Sequence, residues 1–383
     1  MQEWNGTMRS LVIAGARPNF MKVAPILRAL EARGHPGVLV HTGQHYDFQL
    51  SETFFQELGL PEPAHHLEVG SASHAVQTAR CMEAFEPVLM TERPHWVVVV
   101  GDVNSTLACS LVTAKLRETL GCRLAHVEAG LRSRDWRMPE EVNRVLTDRL
   151  SDCLLTPSPE AELNLRDEGI DVSRVVFVGN VMIDTLMDQL PHARALDVPG
   201  RLGLDKGRYA VVTLHRPSNV DDPAALETIL RALGRLSADL PVVFPVHPRT
   251  RKQVETFGLE ALLKPLKALP PVAYREMMGA VADSGIVLTD SGGLQEETTV
   301  LGIPCVTLRE QTERPVTVDE GTNRLVPWPI TEQGLLDTAK AALEQGPRPG
   351  TVPRGWDGKA AERVVEALLR RQEGGLAAER HGP

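Results

Sequence analysis

Short runs rich in valine, isoleucine and leucine recur along the chain, each followed by a segment of helical periodicity, and this alternation limits the fold more than any other feature. Such runs stand at residues 11–14, 38–42, 96–100, 123–127, 153–156 and 175–178. Most are apolar throughout rather than at every second position, the mark of parallel strands covered on both faces. Helical patterns fall between them, near 20–33, 49–58, 74–92, 104–119, 139–151 and 159–168. Strands alternating with helices predict a doubly wound βα domain. The alternation resumes after a stretch bearing proline and glycine at 191–207, with strands at 210–214, 242–246, 286–289 and 305–308. A helix near 180–194 leads from one half to the other. The chain therefore reads as α/β, with two doubly wound Rossmann-like domains, 1–178 and 179–357, and a helix at 358–373 packing back on the first.

Composition narrows the function. A chain of 383 residues has room for two or three domains, and 42% apolar with 24% charged residues is ordinary for a globular protein. The formal net charge of −9 argues against a nucleic-acid binder, whose affinity comes from massed Lys and Arg. No apolar run reaches the length of a membrane span and no secretory signal pattern opens the chain, so a cytoplasmic location is expected. The five cysteines form no C-x-x-C pair and read as reduced, buried thiols. The twelve histidines show no H-E-x-x-H spacing, and no metal site is expected. Neither G-x-G-x-x-G nor the P-loop pattern is present, so nicotinamide and P-loop chemistry lose their usual support, and no cofactor is expected.

Open parallel sheets bind ligands beyond the carboxyl ends of their strands. The segments at those ends are 15–19, 43–45, 101–105, 128–132, 215–217, 247–249 and 290–293, and nearly all are polar, charged or glycine-rich. Two such rims facing each other make a cleft. At 287–297 the sequence V-L-T-D-S-G-G-L-Q-E-E reads as strand, glycine turn and helix start. Glycines let backbone approach a ligand, and the free N–H groups of a helix start suit a phosphate. Glu296 and Glu297 fall in the same first turn, so at least one must point away from a bound phosphate. A carboxylate one turn from the cradle is placed to accept from ribose hydroxyls.

The motifs G-A-R-P-N-F-M-K (15–22), T-G-Q-H (42–45), G-D-V-N-S (101–105), H-V-E-A-G-L-R-S (126–133), P-E-E-V-N-R (139–144), H-R (215–216), P-V-H-P (245–248), T-D-S-G-G-L-Q-E-E (289–297) and T-E-R-P (312–315) occur in that order. As a set they resemble the non-hydrolysing UDP-N-acetylglucosamine 2-epimerases over almost the whole chain. The resemblance implies a two-domain fold like that of the B-type glycosyltransferases, with the nucleotide on the second domain. It implies interconversion of UDP-GlcNAc and UDP-ManNAc by anti-elimination of UDP to a 2-acetamidoglucal and re-addition to the other face, in a homodimer.

Residue by residue, the resemblance places Asp102, Glu128, Glu140 and His215 at catalytic positions, with the three carboxylates stabilising the cationic sugar and shuttling the C2 proton. Taken singly, each carboxylate reads equally as a helix cap or an ion-pair partner of Arg132 or Arg144. Arg17, Lys22, His215, Arg216 and Arg314 match cationic positions of the substrate site. Ser291, Gly292 and Gly293 match the diphosphate cradle, Glu297 the ribose contact, and Met277 the position whose backbone reads uracil. The chain departs from the family at Pro217-Ser218-Asn219, where R-E-N is usual, and at Ala16 and Asn19, where G-T-R-P-E is usual. Of the residues for a second, regulatory UDP-GlcNAc, Gln44, Arg216 and His247 match. Asp47 replaces a glutamine and no arginine stands at 70–73, which counts against allosteric activation. A related UDP-2,3-diacetamido uronate as substrate, a hydrolysing 2-epimerase and a B-type glycosyltransferase are the alternatives.

Overall fold

The computed structural model describes residues 6–43, 55–347 and 352–380, with the side chains of Arg17 and 375–380 left out. The chain divides into two units, Met1–Thr185 with Arg354–Pro383, and Leu186–Pro353. Most of the helix expected at 49–58, and Gln44 and Asp47, lie outside the described residues.

The strands of the first unit are β1 (Ser10–Ala14), β2 (Gly37–His41), β3 (His65–His66), β4 (Trp96–Val100), β5 (Arg123–Val127), β6 (Cys153–Thr156) and β7 (Val175–Phe177). Among the described residues they form one parallel sheet in the order β3-β2-β1-β4-β5-β6-β7. All five residues of β4, W-V-V-V-V, are buried, which is why its apolar run shows no alternation. The helices Arg17–Ala32 and Asn104–Leu120 follow the two central strands β1 and β4. Asn19 starts the first of them by accepting from Gly15 N and Ala16 N, 3.0 Å each, while its amide donates to Val100 O. The chain is wound to one side from β1 and to the other from β4, so the carboxyl ends of these neighbours form a topological switch point.

The second unit repeats this order. Its strands β8 (Ala210–Thr213), β9 (Val242–Pro245), β10 (Lys267–Leu269), β11 (Ile286–Thr289), β12 (Cys305–Thr307) and β13 (Asn323–Leu325) pair in parallel as β10-β9-β8-β11-β12-β13. The switch point lies between β8 and β11, where Thr213 stands opposite Thr289. The helix Pro223–Leu236 shows how the unit is held. Asp222 caps it, accepting from Ala225 N at 2.8 Å, and Leu226, Ile229, Leu230 and Leu233 bury one face at helical spacing. Each such side chain contributes roughly 1.5–3 kcal/mol on burial.

The boundary expected at 178/179 falls instead at Thr185/Leu186, inside the helix Val181–Ala195. The first turns of that helix belong to the first unit: Thr185 Oγ1 donates to Met21 O at 2.5 Å, and Asp184 accepts from Ala360 N and Ala361 N. Its later turns belong to the second, where Gln189 accepts from Arg275. Helical periodicity runs unbroken through such a handover, so the sequence carries no mark of it.

The C-terminal helix Ala360–Arg380 belongs to the first unit. Asp184 satisfies its first N–H groups, Arg363 donates to Val178 O, and Trp356 Nε1 donates to Pro157 O at 3.0 Å. Burial pushes the Asp184 carboxyl up to about 6 against the opposing pull of the two amides. Replacing Asp184 by Ala strands two buried donors at a helix start, so the variant is expected to lose about 1–3 kcal/mol of stability. Urea unfolding checks this: the midpoint falls while the slope stays the same.

Candidate functional site

In the first unit the polar groups gather beyond β1, β4 and β5. Asp102 follows β4, Glu128 follows β5, and Glu140 sits in the first turn of the helix Pro139–Leu150. Glu128 has φ +73°, a left-handed conformation that costs a non-glycine residue energy and is held here by its surroundings. Its carboxylate forms an ion pair with Lys22, and both side chains are almost fully buried. Gly101, at φ +65°, lies under this pair: an added Cβ would come within 2.9 Å of Lys22 Nζ and 3.6 Å of Glu128 Oε2. Lys22, Glu128 and the residue before Asp102 are thus brought together. Arg17 opens the helix that carries Lys22.

The motif P-E-E-V-N-R divides its work. Glu141, not Glu140, is the buried carboxylate, accepting from Ser133 N, Ser133 Oγ and Arg134 N and pairing with Arg144 at 2.7 Å. Arg144 reaches on to Asp102 Oδ2 at 2.5 Å, and Asn143 Nδ2 donates to Asp102 O at 2.9 Å. Of the ion-pair readings of the sequence, the one between Asp102 and Arg144 is realised. Glu128 pairs with Lys22. Glu140 is half-buried and has no ion pair among the described residues.

Beneath these groups lies a buried polar chain that sequence reading missed as a site element. His126 Nε2 donates to Gly101 O at 2.8 Å, and Nδ1 faces Asp148 Oδ1 at 2.6 Å. Asp148 Oδ2 also pairs with Arg132 at 2.7 Å and accepts from Gly130 N, and Arg132 pairs in turn with Glu168. Burial alone would raise the Asp148 carboxyl, but the His126 and Arg132 charges outweigh it and hold the group below its ordinary range. The only sequence signal was that His126 and Arg132 share a motif with Glu128.

In the second unit, His215 and Arg216 follow β8, and Asp290 follows β11. The fully buried Asp290 carboxylate accepts from His215 N, Arg216 N and Asn219 Nδ2, and His215 Nδ1 lies 2.8 Å from Oδ1. Burial pushes this carboxyl up, but the bonds and charge from His215 prevail and keep it depressed. Asp290 is a second residue missed in the sequence, although a lone acid at the end of an apolar strand was the clue. Pro217 opens a one-turn helix, Pro217–Val220, where the family has R-E-N.

The glycine turn is a strand, an N-cap at Ser291 and the helix Gly292–Leu301, as read from the sequence. A Cβ on Gly292 would lie 2.6 Å from the Arg314 guanidinium, so the arginine rests against the helix start at Gly292. Arg314 Nε pairs with Glu296, and NH1 lies 3.5 Å from Glu313. A guanidinium and the N-terminal amides of a helix converge on one spot, the combination that binds anionic oxygens. Glu297 turns the other way and accepts from Tyr274 OH at 2.9 Å. Its carboxyl is raised to about 7, chiefly by burial. Met277 lies in the helix Tyr274–Ala282 and its amide donates to Ala273 O, so a uracil contact there shares a donor already in use. Among the described residues no cluster of side chains could hold a metal ion, and no helix is long and apolar enough to cross a membrane.

Two doubly wound α/β units, one with an anion-ready glycine helix and the other with carboxylates braced by cations, define a Rossmann-like enzyme class that handles nucleotide-linked substrates. The comparison with known proteins is specific. The family model for UDP-N-acetylglucosamine 2-epimerase matches residues 28–369. A UDP-N-acetylglucosamine 2-epimerase homolog of Methanococcus maripaludis is 43% identical over 83% of this chain and 88% of its own. The UDP-2,3-diacetamido-2,3-dideoxy-D-glucuronate 2-epimerase of Pseudomonas aeruginosa is 40% identical over 95% of this chain and all of its own. The crystal structure of Methanocaldococcus jannaschii UDP-GlcNAc 2-epimerase in complex with UDP-GlcNAc and UDP superposes with a TM-score of 0.85 at 38% identity, covering 95% of this chain and 100% of that one. The chain belongs to the UDP-N-acetylglucosamine 2-epimerase family.

Glu297 gives a pH prediction. Hydroxyls donating to its carboxylate, as the family resemblance expects of a ribose, favour the ionised form. The folded value of about 7 lies above the ordinary 4.5, so below pH 7 the group is protonated and binding must expel that proton. Affinity for a UDP-sugar is expected to rise with pH toward 7, by up to about tenfold per unit. Calorimetry near pH 6 in buffers of different ionisation enthalpy should find about one proton released by the wild type and none by Glu297→Gln. Equal release from both would remove Glu297 from the binding site.

Proposed function

We propose that the protein interconverts UDP-GlcNAc and UDP-ManNAc by inverting C2 through elimination and re-addition of UDP. The observation that carries the reading is the carboxylate set of the first unit, Asp102, Glu128 and Glu140, in a chain that belongs to this family. The C2 hydrogen of the sugar is not next to a carbonyl, so its direct removal is difficult. Once the C1–O bond begins to break, the electron pair leaves with the diphosphate and C1 becomes oxocarbenium-like. That change acidifies C2–H. Such a reaction needs cations on the leaving group and carboxylates around the ring.

The geometry supports a division of roles. Glu128 and Asp102 are each held by a cation, Lys22 and Arg144, and suit electrostatic stabilisation of the cationic ring. Glu140, without an ion pair among the described residues, suits proton transfer at C2. In the second unit Ser291, Gly292, Gly293 and Arg314 take the diphosphate with His215 and Arg216. Glu297 takes the ribose and Met277 the uracil, and Arg17 and Lys22 stand at the matching cationic positions of the first unit. The steps are redox-neutral. A cytoplasmic homodimer belongs to the same reading and is supported by the family likeness.

The Pseudomonas aeruginosa relative favours a second substrate, a UDP-2,3-diacetamido uronate, on equally full coverage. Incubation with each UDP-sugar under proton and phosphorus NMR separates the readings. Appearance of UDP-ManNAc from UDP-GlcNAc without lasting release of UDP is the expected result. Stoichiometric UDP release would establish hydrolysis, and turnover of the uronate alone would move the substrate. In the same assay Glu128→Gln is expected to lower kcat by about 10²–10⁴-fold. Calorimetry should find its UDP affinity nearly unchanged, because this carboxylate acts at the sugar.

A further inference from the structure

Asp290 belongs to none of the roles assigned so far, yet it is the most heavily engaged buried carboxylate of the second unit. It stands at the switch point, one residue beyond β11, with His215 and Arg216 two and three residues beyond the neighbouring strand β8. Its side chain is fully buried and receives four donors from a single short segment: His215 N at 3.0 Å, Arg216 N at 2.9 Å, Asn219 Nδ2 at 3.1 Å and the His215 ring at 2.8 Å. A carboxylate surrounded only by donors stays ionised and accepts from all of them. Asn219 is itself locked by a second bond to Leu308 O at 2.8 Å, so the segment is held from both sides.

We propose that Asp290 is the positioning residue of the leaving-group site: it fixes His215 with the hydrogen on Nδ1 and turns Nε2 outward, toward the departing diphosphate. The inference deepens the proposed function and rests on that reading for the identity of the leaving group. The chemistry of the dyad follows from the acceptor geometry. An ionised carboxylate 2.8 Å from Nδ1 accepts only if that nitrogen carries a hydrogen. The outer nitrogen then meets the ligand, and the imidazole side chain keeps 37% of its surface exposed. As the C1–O bond breaks, negative charge grows on the diphosphate oxygen. With Nδ1 already protonated, Nε2 takes up a second proton from solvent and donates it in a hydrogen bond to that oxygen, and the buried Asp290 charge balances the imidazolium so formed. No proton need be transferred to UDP, and the C2 proton still goes to a carboxylate of the first unit.

The bonds to His215 N and Arg216 N give Asp290 a second effect. They fix the backbone from which both side chains project, so one buried charge sets the direction of an imidazole and a guanidinium together. His247 packs against the His215 ring, with centroids 5.8 Å apart and planes tilted by 45°, and limits rotation of the imidazole. In hydrolases where a buried carboxylate orients a histidine, exchanging it for the amide keeps the shape but favours the wrong tautomer, and costs about 10⁴ in rate.

The test uses the full-length protein with UDP. Long-range proton–nitrogen NMR near pH 8 reads which ring nitrogen of His215 is protonated, the signal being assigned by its loss in His215→Gln. The wild type is expected to show hydrogen on Nδ1, and Asp290→Asn is expected to shift the population toward the other tautomer. In Asp290→Asn, kcat for UDP-GlcNAc epimerisation should fall by about 10²–10⁴-fold, with the calorimetric Kd for UDP changed by no more than about threefold, roughly the 0.6 kcal/mol of a minor contact. A bare Nδ1 in the wild type would overturn the proposal even if the variant failed to fold. So would an unchanged tautomer with near-normal kcat, or a loss of kcat matched by an equal loss of UDP affinity. If the wild type epimerises no UDP-sugar, the functional reading fails, while the tautomer measurement still decides the dyad.

Discussion

A buried charge must be paired or bonded, and in this protein that requirement decides where the reactive groups point. Each sheet reverses its winding once, between β1 and β4 and between β8 and β11, and at each reversal a charged side chain is drawn inward. Lys22 meets Glu128 at the first, and Asp290 meets His215 at the second. Neither pair is strong evidence of added stability, because desolvation offsets much of the attraction. What the pairs supply is direction. Removing one partner would leave an uncompensated charge, so the geometry of the other is fixed.

The same logic separates the two units chemically. The second gathers donors at a helix start and sets Arg314 against Gly292, an arrangement that favours negative oxygen. The first gathers carboxylates and braces two of them with cations, while the His126, Asp148 and Arg132 chain holds the Gly101 carbonyl from below. Gly101 sits at φ +65°, where a side chain is strained, with Lys22 Nζ in the space of a Cβ. The left-handed Glu128 is held by Lys22 through its carboxylate and by Leu155 O of β6 through its amide. The helix-start donors and the braced carboxylates thus rest on separately built frameworks.

Much of this was legible in the sequence, for physical reasons that also explain the rest. The V-V-V-V run of β4 and the strand, glycine turn and helix at 287–297 announce themselves because their signals are local. Strands of two or three residues such as β3, β10 and β13 carry no apolar run and exist only through pairing with a neighbour. The sequence required that at least one of Glu296 and Glu297 turn away from a phosphate bound at the turn, but not which. Their directions depend on Arg314 and Tyr274, about 20 residues away in either direction. Asp290 and His126 were hidden for the same reason: each acquires its role from partners on other elements, His215 in one case and Asp148 and Gly101 in the other.

The central claim is that the C2 proton leaves the sugar and returns from a carboxylate open to exchange with solvent. The direct measurement is incubation of the wild-type protein with UDP-GlcNAc in heavy water, followed by NMR of the C2 position. The account predicts UDP-ManNAc carrying deuterium at C2, formed without any acceptor sugar. UDP-ManNAc that retains its original hydrogen at C2 would contradict it.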